Sequence, residues 1–157
     1  MIEVQNPNGI QDLLNSTIAS MSQVFPIPID TKPPSLVQNA VIQGEIGVLI
    51  GIVGDVEGRL VIEGDMQTFG KLGQSMFGMP LEGEMLHSFV GEMANMIAGN
   101  TSAIVYQKGH KIDITPPTVM VGQMQLYGFE KGISIAVSLQ EVGTIHMILL
   151  LQKTEAA

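Results

Sequence analysis

Between residues 84 and 107 the apolar positions recur at intervals of three and four. Leu86, Phe89, Val90, Met93 and Ile97 fall on one arc of a helix, as an element packed against a core requires. The spacing predicts a long helix from near Gly83 to about Gln107. Residues 9–22 show the same periodicity, with Leu13, Leu14, Thr17, Ile18 and Met21 turned inward and Asn8 placed as an N-cap. Pro26 and Pro28 end helical geometry and enforce extended chain. Met66–Phe77 reads as a connecting helix, stopped by Gly78 and Pro80. Elsewhere β-branched and apolar residues alternate or cluster in shorter runs, predicting strands over 35–45, 47–53, 59–63, 118–127, 132–140 and 143–152. Gly54-Asp55 opens a tight turn that Gly58 closes. The last strand, Ile145–Leu151, is apolar on both faces at its end. It therefore needs cover on both sides, within one molecule or in a sheet continued across two subunits.

The halves echo each other. Ile29-Asp30-Thr31-Lys32-Pro33-Pro34-Ser35-Leu36 returns as Ile112-Asp113-Ile114-Thr115-Pro116-Pro117-Thr118-Val119. After a two-residue shift, Gly47–Ile52 aligns with Gly132–Val137 and Gly58-Arg59-Leu60 with Gly143-Thr144-Ile145. Upstream, Asn8–Ile18 parallels Ser88–Ala98. Matched proline pairs, glycines and apolar alternation point to an internal duplication. The expected fold is α+β: two units of helix, short strand, Pro-Pro corner and three strands, forming an antiparallel-rich sheet packed by long helices. A length of 157 residues suits one domain over 1–157. Repeat one covers about 8–64, the connecting helix about 65–79 and repeat two about 83–152.

Composition narrows the function. Hydrophobic residues make up 45% and charged residues 14%, which argues against disorder. The longest apolar run, Ile46–Val53, is broken by glycines and too short to span a bilayer. No secretory pattern opens the chain, so a cytoplasmic address is expected, with no membrane partner. A net charge of −8, with Arg59 the only arginine, repels phosphate backbones, so no nucleic acid is expected. Without cysteine, thiolate and disulfide chemistry are excluded. Of the eleven methionines, Met76, Met79, Met85, Met93 and Met96 lie near the long helix. Flexible thioethers suit either core filling, the reading for Met93, or an adaptable contact surface.

Beside its apolar arc the long helix carries a second stripe. Ser88, Glu92, Asn95 and Gly99 are spaced four, three and four apart and fall on one face, polar and small enough for close approach. A carboxylate there can take an ammonium, and a carboxamide can both donate to and accept from water. On spacing alone, Glu and Asn three apart is ordinary solvated surface. The pattern Ser-x-x-x-Glu-x-x-Asn, followed by Met96-Ile97-Ala98-Gly99, nevertheless resembles the signature of the CheC, CheX and FliY phosphatases of bacterial chemotaxis. Length and duplication extend the resemblance over nearly the whole chain, most of all to the CheX-like members.

The resemblance implies hydrolysis of the aspartyl phosphate on a CheY-type receiver domain. Asn95 would orient the attacking water and Glu92 would dock the receiver's lysine, while Ser88, Gly91, Met96 and Gly99 would contact the partner. Magnesium is expected in the receiver, with no cofactor or metal on this chain, and the resemblance to CheX implies a homodimer. Asp12 and Asn15 stand opposite Glu92 and Asn95 in the first repeat, as a solvated face or a degenerate second site. The alternative from another class is a non-catalytic dimeric interaction domain of a chemotaxis, flagellar-switch or two-component system. It has no need of both Glu92 and Asn95.

Other signals carry less. Gly64–Lys71 has five residues between its glycines and Leu72 where a phosphate loop needs Ser or Thr. His87, His110 and His146 sit in separate elements without a metal-ligand pattern. No Gly-x-Ser-x-Gly elbow supports a hydrolase triad. Glu82 and Glu84 suit the start of a helix and need no catalytic role.

Overall fold

The computed structural model describes residues 7–38 and 40–152. Helix α1 spans Pro7–Val24, followed by strands β1 (Ile29–Thr31), β2 (Ser35–Val37), β3 (Ala40–Ile42), β4 (Ile46–Gly54) and β5 (Gly58–Gly64). Helix α2 (Met66–Phe77) leads to α3 (Glu84–Gln107). Strands β6 (Ile112–Ile114), β7 (Thr118–Val121), β8 (Met124–Leu126), β9 (Lys131–Leu139) and β10 (Gly143–Leu151) follow. The helices match the periodicity to within a few residues. Proline at the first position of α1, where the missing N–H costs nothing, places Asn8 inside the first turn and not at the cap.

The sheet runs β1-β9-β10-β5-β4-β6, with β2 also on β9 and β7 also on β4; every pairing is antiparallel. The proline corners have the same geometry in both halves. Between the Thr31–Val137 and Ser35–Ser134 pairs one strand advances four residues against three on β9. Between the Ile114–Ile52 and Thr118–Leu49 pairs the same happens on β4. Each Pro-Pro pair thus occupies a bulge, where the ladder does not need its absent N–H groups. The hydrogen bonds from Lys32 N to Ala136 O (3.1 Å) and from Thr115 N to Gly51 O (2.9 Å) also correspond.

Three sequence expectations change. The segment 35–45 is not one strand, and neither is 118–127. In each, the second piece leaves the main sheet, and β3 pairs with β8 as a separate ribbon. Gly122, at φ 101°, bends the chain between β7 and β8. The match of Gly58-Arg59-Leu60 to Gly143-Thr144-Ile145 is not kept by the ladders. Ile50 faces Leu60, whereas its counterpart Ile135 faces Met147. Five residues separate the last β4–β5 pair, Ile52 and Gly58, against three between Leu139 and Gly143, which moves β10 along its partner.

β10 lies between β9 and β5 in mid-sheet, so its two apolar faces are covered within the chain. Met147 and Leu149 point into the main core with the helices, while Ile148 and Leu150 join Val61 and Met120 in a smaller cluster that includes Met124 and Leu126 of β8. The order is therefore helices, sheet, ribbon. None of the described helices is long and apolar enough to cross a membrane.

Candidate functional site

Helix α3 is held on its apolar arc throughout. Leu86, Phe89, Val90, Met93, Ala94, Ile97, Ala98, Thr101 and Val105 are buried. Each large side chain among them contributes about 1.5–3 kcal/mol on removal from water. α1 packs alongside through small residues: Ser16 and Ser20 are fully buried, and Ser20 Oγ donates to the Ile97 carbonyl at 2.7 Å. Asn100 Nδ2 donates to Gln23 Oε1 at 2.7 Å, a second tie between the helices. The helix starts abruptly at Gly83, whose φ of 62° and ψ of −138° suit glycine alone.

On this anchored helix Ser88, Glu92, Asn95 and Gly99 are all exposed, as is Met96. Among the described residues neither Glu92 nor Asn95 has a hydrogen-bond or ion-pair partner. The stripe presents a carboxylate and a carboxamide, one turn apart, with their capacity unspent. Met93 is buried in the core as expected. Gly91 differs from expectation, being buried rather than on the stripe. A Cβ there would sit 3.1 Å from Val119 Cγ2, so its smallness serves the packing of α3 on β7 and not an outside molecule. At Gly99 a Cβ would meet nothing within 4 Å, so no neighbour among the described residues explains that glycine.

A groove of about 670 Å³ adjoins the stripe, lined by Phe77, Met79, Leu81, Glu84, Met85, Ser88, Phe89 and Glu92. Phe77 stacks edge-on against Phe89, ring centres 5.7 Å apart, yet remains largely exposed. The methionine clustering pointed to Met79 and Met85. Phe77, at the last turn of α2, was not distinguishable in sequence from a helix-end residue.

In α1, Asp12 accepts a hydrogen bond from His110 Nε2–H at 2.9 Å across the fold. Asn15 is exposed and lines a different groove with Gln11, Lys32, Pro33 and Pro34. Two of the three histidines therefore do meet carboxylates that the sequence leaves distant: His110 with Asp12, and His146, whose Nδ1 lies 3.6 Å from the buried Glu63. Among the described residues no three His, Cys, Asp or Glu side chains gather to hold a metal ion.

A family model described as chemotaxis phosphatase CheX matches residues 46–137, including the whole of α3. The chain belongs to the CheX family. It is 30% identical to the CheY-P phosphatase CheX of Thermotoga maritima, over 88% of this chain and 93% of that protein. Solved structures share the fold. A CheC-like superfamily protein from a Shewanella species has a TM-score of 0.76 at 23% identity, over 94% of this chain and 99% of its own. The CheX of Borrelia burgdorferi, solved with CheY, BeF3 and magnesium, has a TM-score of 0.75 at 24% identity, over 92% and 97%. Membership in a family of chemotaxis phosphatases gives the exposed Glu92–Asn95 pair a chemical context that its spacing alone lacks.

Proposed function

We propose that this chain is a hydrolase acting on the aspartyl phosphate of a CheY-type response-regulator receiver. The observation that carries the reading is the pairing of family membership with an exposed Glu92 and Asn95, without partners among the described residues, on a helix fixed by its buried arc. The mixed anhydride on the receiver is intrinsically hydrolysable, and the receiver supplies its own magnesium and lysine. The helper therefore has to place water in line with phosphorus and hold the receiver still. Asn95 accepts a hydrogen bond from the attacking water through its amide oxygen and donates one through its NH2 to a phosphoryl oxygen or a second water, while the protons of the attacking water leave with the phosphate. As the water oxygen bonds to phosphorus, the bond to the aspartyl oxygen breaks, releasing phosphate and a free carboxylate. Glu92 meets the receiver's phosphate-contacting lysine as a charge-assisted pair. Ser88, Met96 and Gly99 border the contact. A hundredfold acceleration requires about 2.7 kcal/mol of transition-state stabilisation, within reach of one well-placed amide.

The working unit is one domain over 1–157, with repeats at about 8–64 and 83–152 joined by the segment 65–79. It acts in the cytoplasm as a homodimer, away from membrane and nucleic acid. Asp12 and Asn15 form a degenerate second site: Asp12 is committed to His110, and Lys32 stands in the groove beside Asn15, where it repels a receiver lysine. The deciding experiment follows phosphate loss from a panel of purified phospho-receivers, with and without the protein. Acceleration with a cognate receiver, abolished by Asn95→Ala, supports the reading. Absence of acceleration with any receiver would replace it with the scaffold alternative.

A further inference from the structure

The stripe on α3 is too small to hold a globular partner by itself. From Ser88 to Gly99 it runs about 16 Å at the helical rise. A specific interface covers on the order of 800 Å² per partner, more than one helix ridge offers. Any partner that reaches Glu92 and Asn95 must therefore lie over a flank of α3 as well. The flank formed by the end of α2, the chain leading to α3 and the first turn of α3 exposes Phe77 (61%), Met79 (51%) and Met85 (58%). Together they make an apolar shelf, whereas lone exposed apolar side chains would need no explanation. Its groove is continuous with the stripe, because Ser88 and Glu92 form one wall. Its lining is acidic as well: Glu84 and Glu92 are exposed, and neither has an ion-pair partner among the described residues.

We propose that this shelf is the docking surface for the receiver domain itself, taking an apolar side chain flanked by basic groups from the receiver face that borders its phosphorylation pocket. This rests on the reading of Glu92 and Asn95 given above and extends it to specificity. An occupant with these two features is selected jointly. The shelf excludes water around an apolar anchor, and the carboxylates favour a cationic border over an acidic one. Two exposed methionines at its centre let related receivers be accommodated without repacking the core.

The test measures binding of beryllofluoride-loaded receivers by calorimetry, independently of hydrolysis, alongside the phosphate-release assay. Met79→Ser and Met85→Ser are chosen because both side chains are more than half exposed and support no core. The double variant is expected to keep its melting temperature, to weaken receiver binding at least tenfold, and to retain the wild-type rate at saturating receiver. Glu84→Lys is expected to weaken binding several-fold, and more at low salt than at high. Unchanged affinity in the double variant overturns the proposal while leaving the Asn95 chemistry standing. Normal binding by wild type without accelerated hydrolysis, lost in the double variant, supports the shelf and removes the hydrolytic reading instead. Loss of self-association in the double variant, with receiver affinity intact, would make the shelf a contact between copies and overturn the proposal.

Discussion

Helices α1 and α3 occupy matching places, each followed by a short strand, a proline bulge and a long hairpin, and each carries an acid and an asparagine three residues apart. On α3 the acid is Glu92, exposed and without a partner among the described residues. On α1 it is Asp12, drawn onto His110 at 2.9 Å. The neighbouring positions diverge in the same sense. Gly91 lets α3 sit against Val119, whereas its counterpart Gln11 lines an open groove with Lys32. The comparison teaches that spacing alone does not make a site. On α3 both groups stay exposed and open to an outside molecule, as the proposed function requires, whereas on α1 the acid is taken up by a partner within the fold.

The sharpest way to break this comparison is to remove the amide from each helix in turn. Asn95→Ala is expected to reduce catalysed phosphate release from a cognate phospho-receiver by about a hundredfold, equivalent to about 2.7 kcal/mol, with receiver binding retained. Asn15→Ala is expected to stay within twofold of wild type in the same stopped-flow measurement. Equal losses at the two positions would mean two working sites, and no loss at Asn95 would remove it from the chemistry.

Next in size is the acid. Glu92→Ala should weaken the complex with a beryllofluoride-loaded receiver about tenfold, a cost of about 1.4 kcal/mol, as expected for losing one partner of a charge-assisted contact. The protein's melting temperature should hardly change, because an exposed side chain without a partner contributes little to the fold. Asp12→Ala reverses the pattern. Receiver affinity should be unaffected, while unfolding by urea should show a loss of about 1 kcal/mol from the hydrogen bond that joins α1 to the exit of α3. A drop in affinity for the Asp12 variant would reopen the first repeat as a docking site.

How much of this was legible in sequence follows from how local each feature is. The exposed stripe of α3 could be read because its core arc and its polar face belong to one periodic segment, and the arc fixes where the stripe must point. The proline bulges were visible as matched pairs, though not the strand each pair interrupts. The ribbon was not legible, since the apolar alternation of 118–127 runs on through the bend at Gly122. The Asp12–His110 bond was out of reach, as its partners are 98 residues apart and meet only once α1 lies along α3. The shelf was half legible. Its methionines drew notice, but nothing in the sequence tells that Phe77 stays exposed while Phe69, eight residues earlier in α2, is wholly buried.

The smallest expected effect is also the most discriminating between the helices, because stability and function should move in opposite directions. Aligning Ser88 with Asn8 sets Gly99 opposite Ala19. A mid-helix glycine costs roughly 0.5–1 kcal/mol relative to alanine, and here no contact among the described residues requires it, since a Cβ at Gly99 would meet open space. Gly99→Ala should therefore raise stability by roughly that amount in a urea titration. If the partner's backbone passes close over this turn of α3, the added methyl should also weaken receiver binding a few-fold by holding the two surfaces apart. A variant that gains stability and binds the receiver as tightly as before would place Gly99 outside the contact, and would confine the difference between α3 and α1 to the carboxylate and the amide.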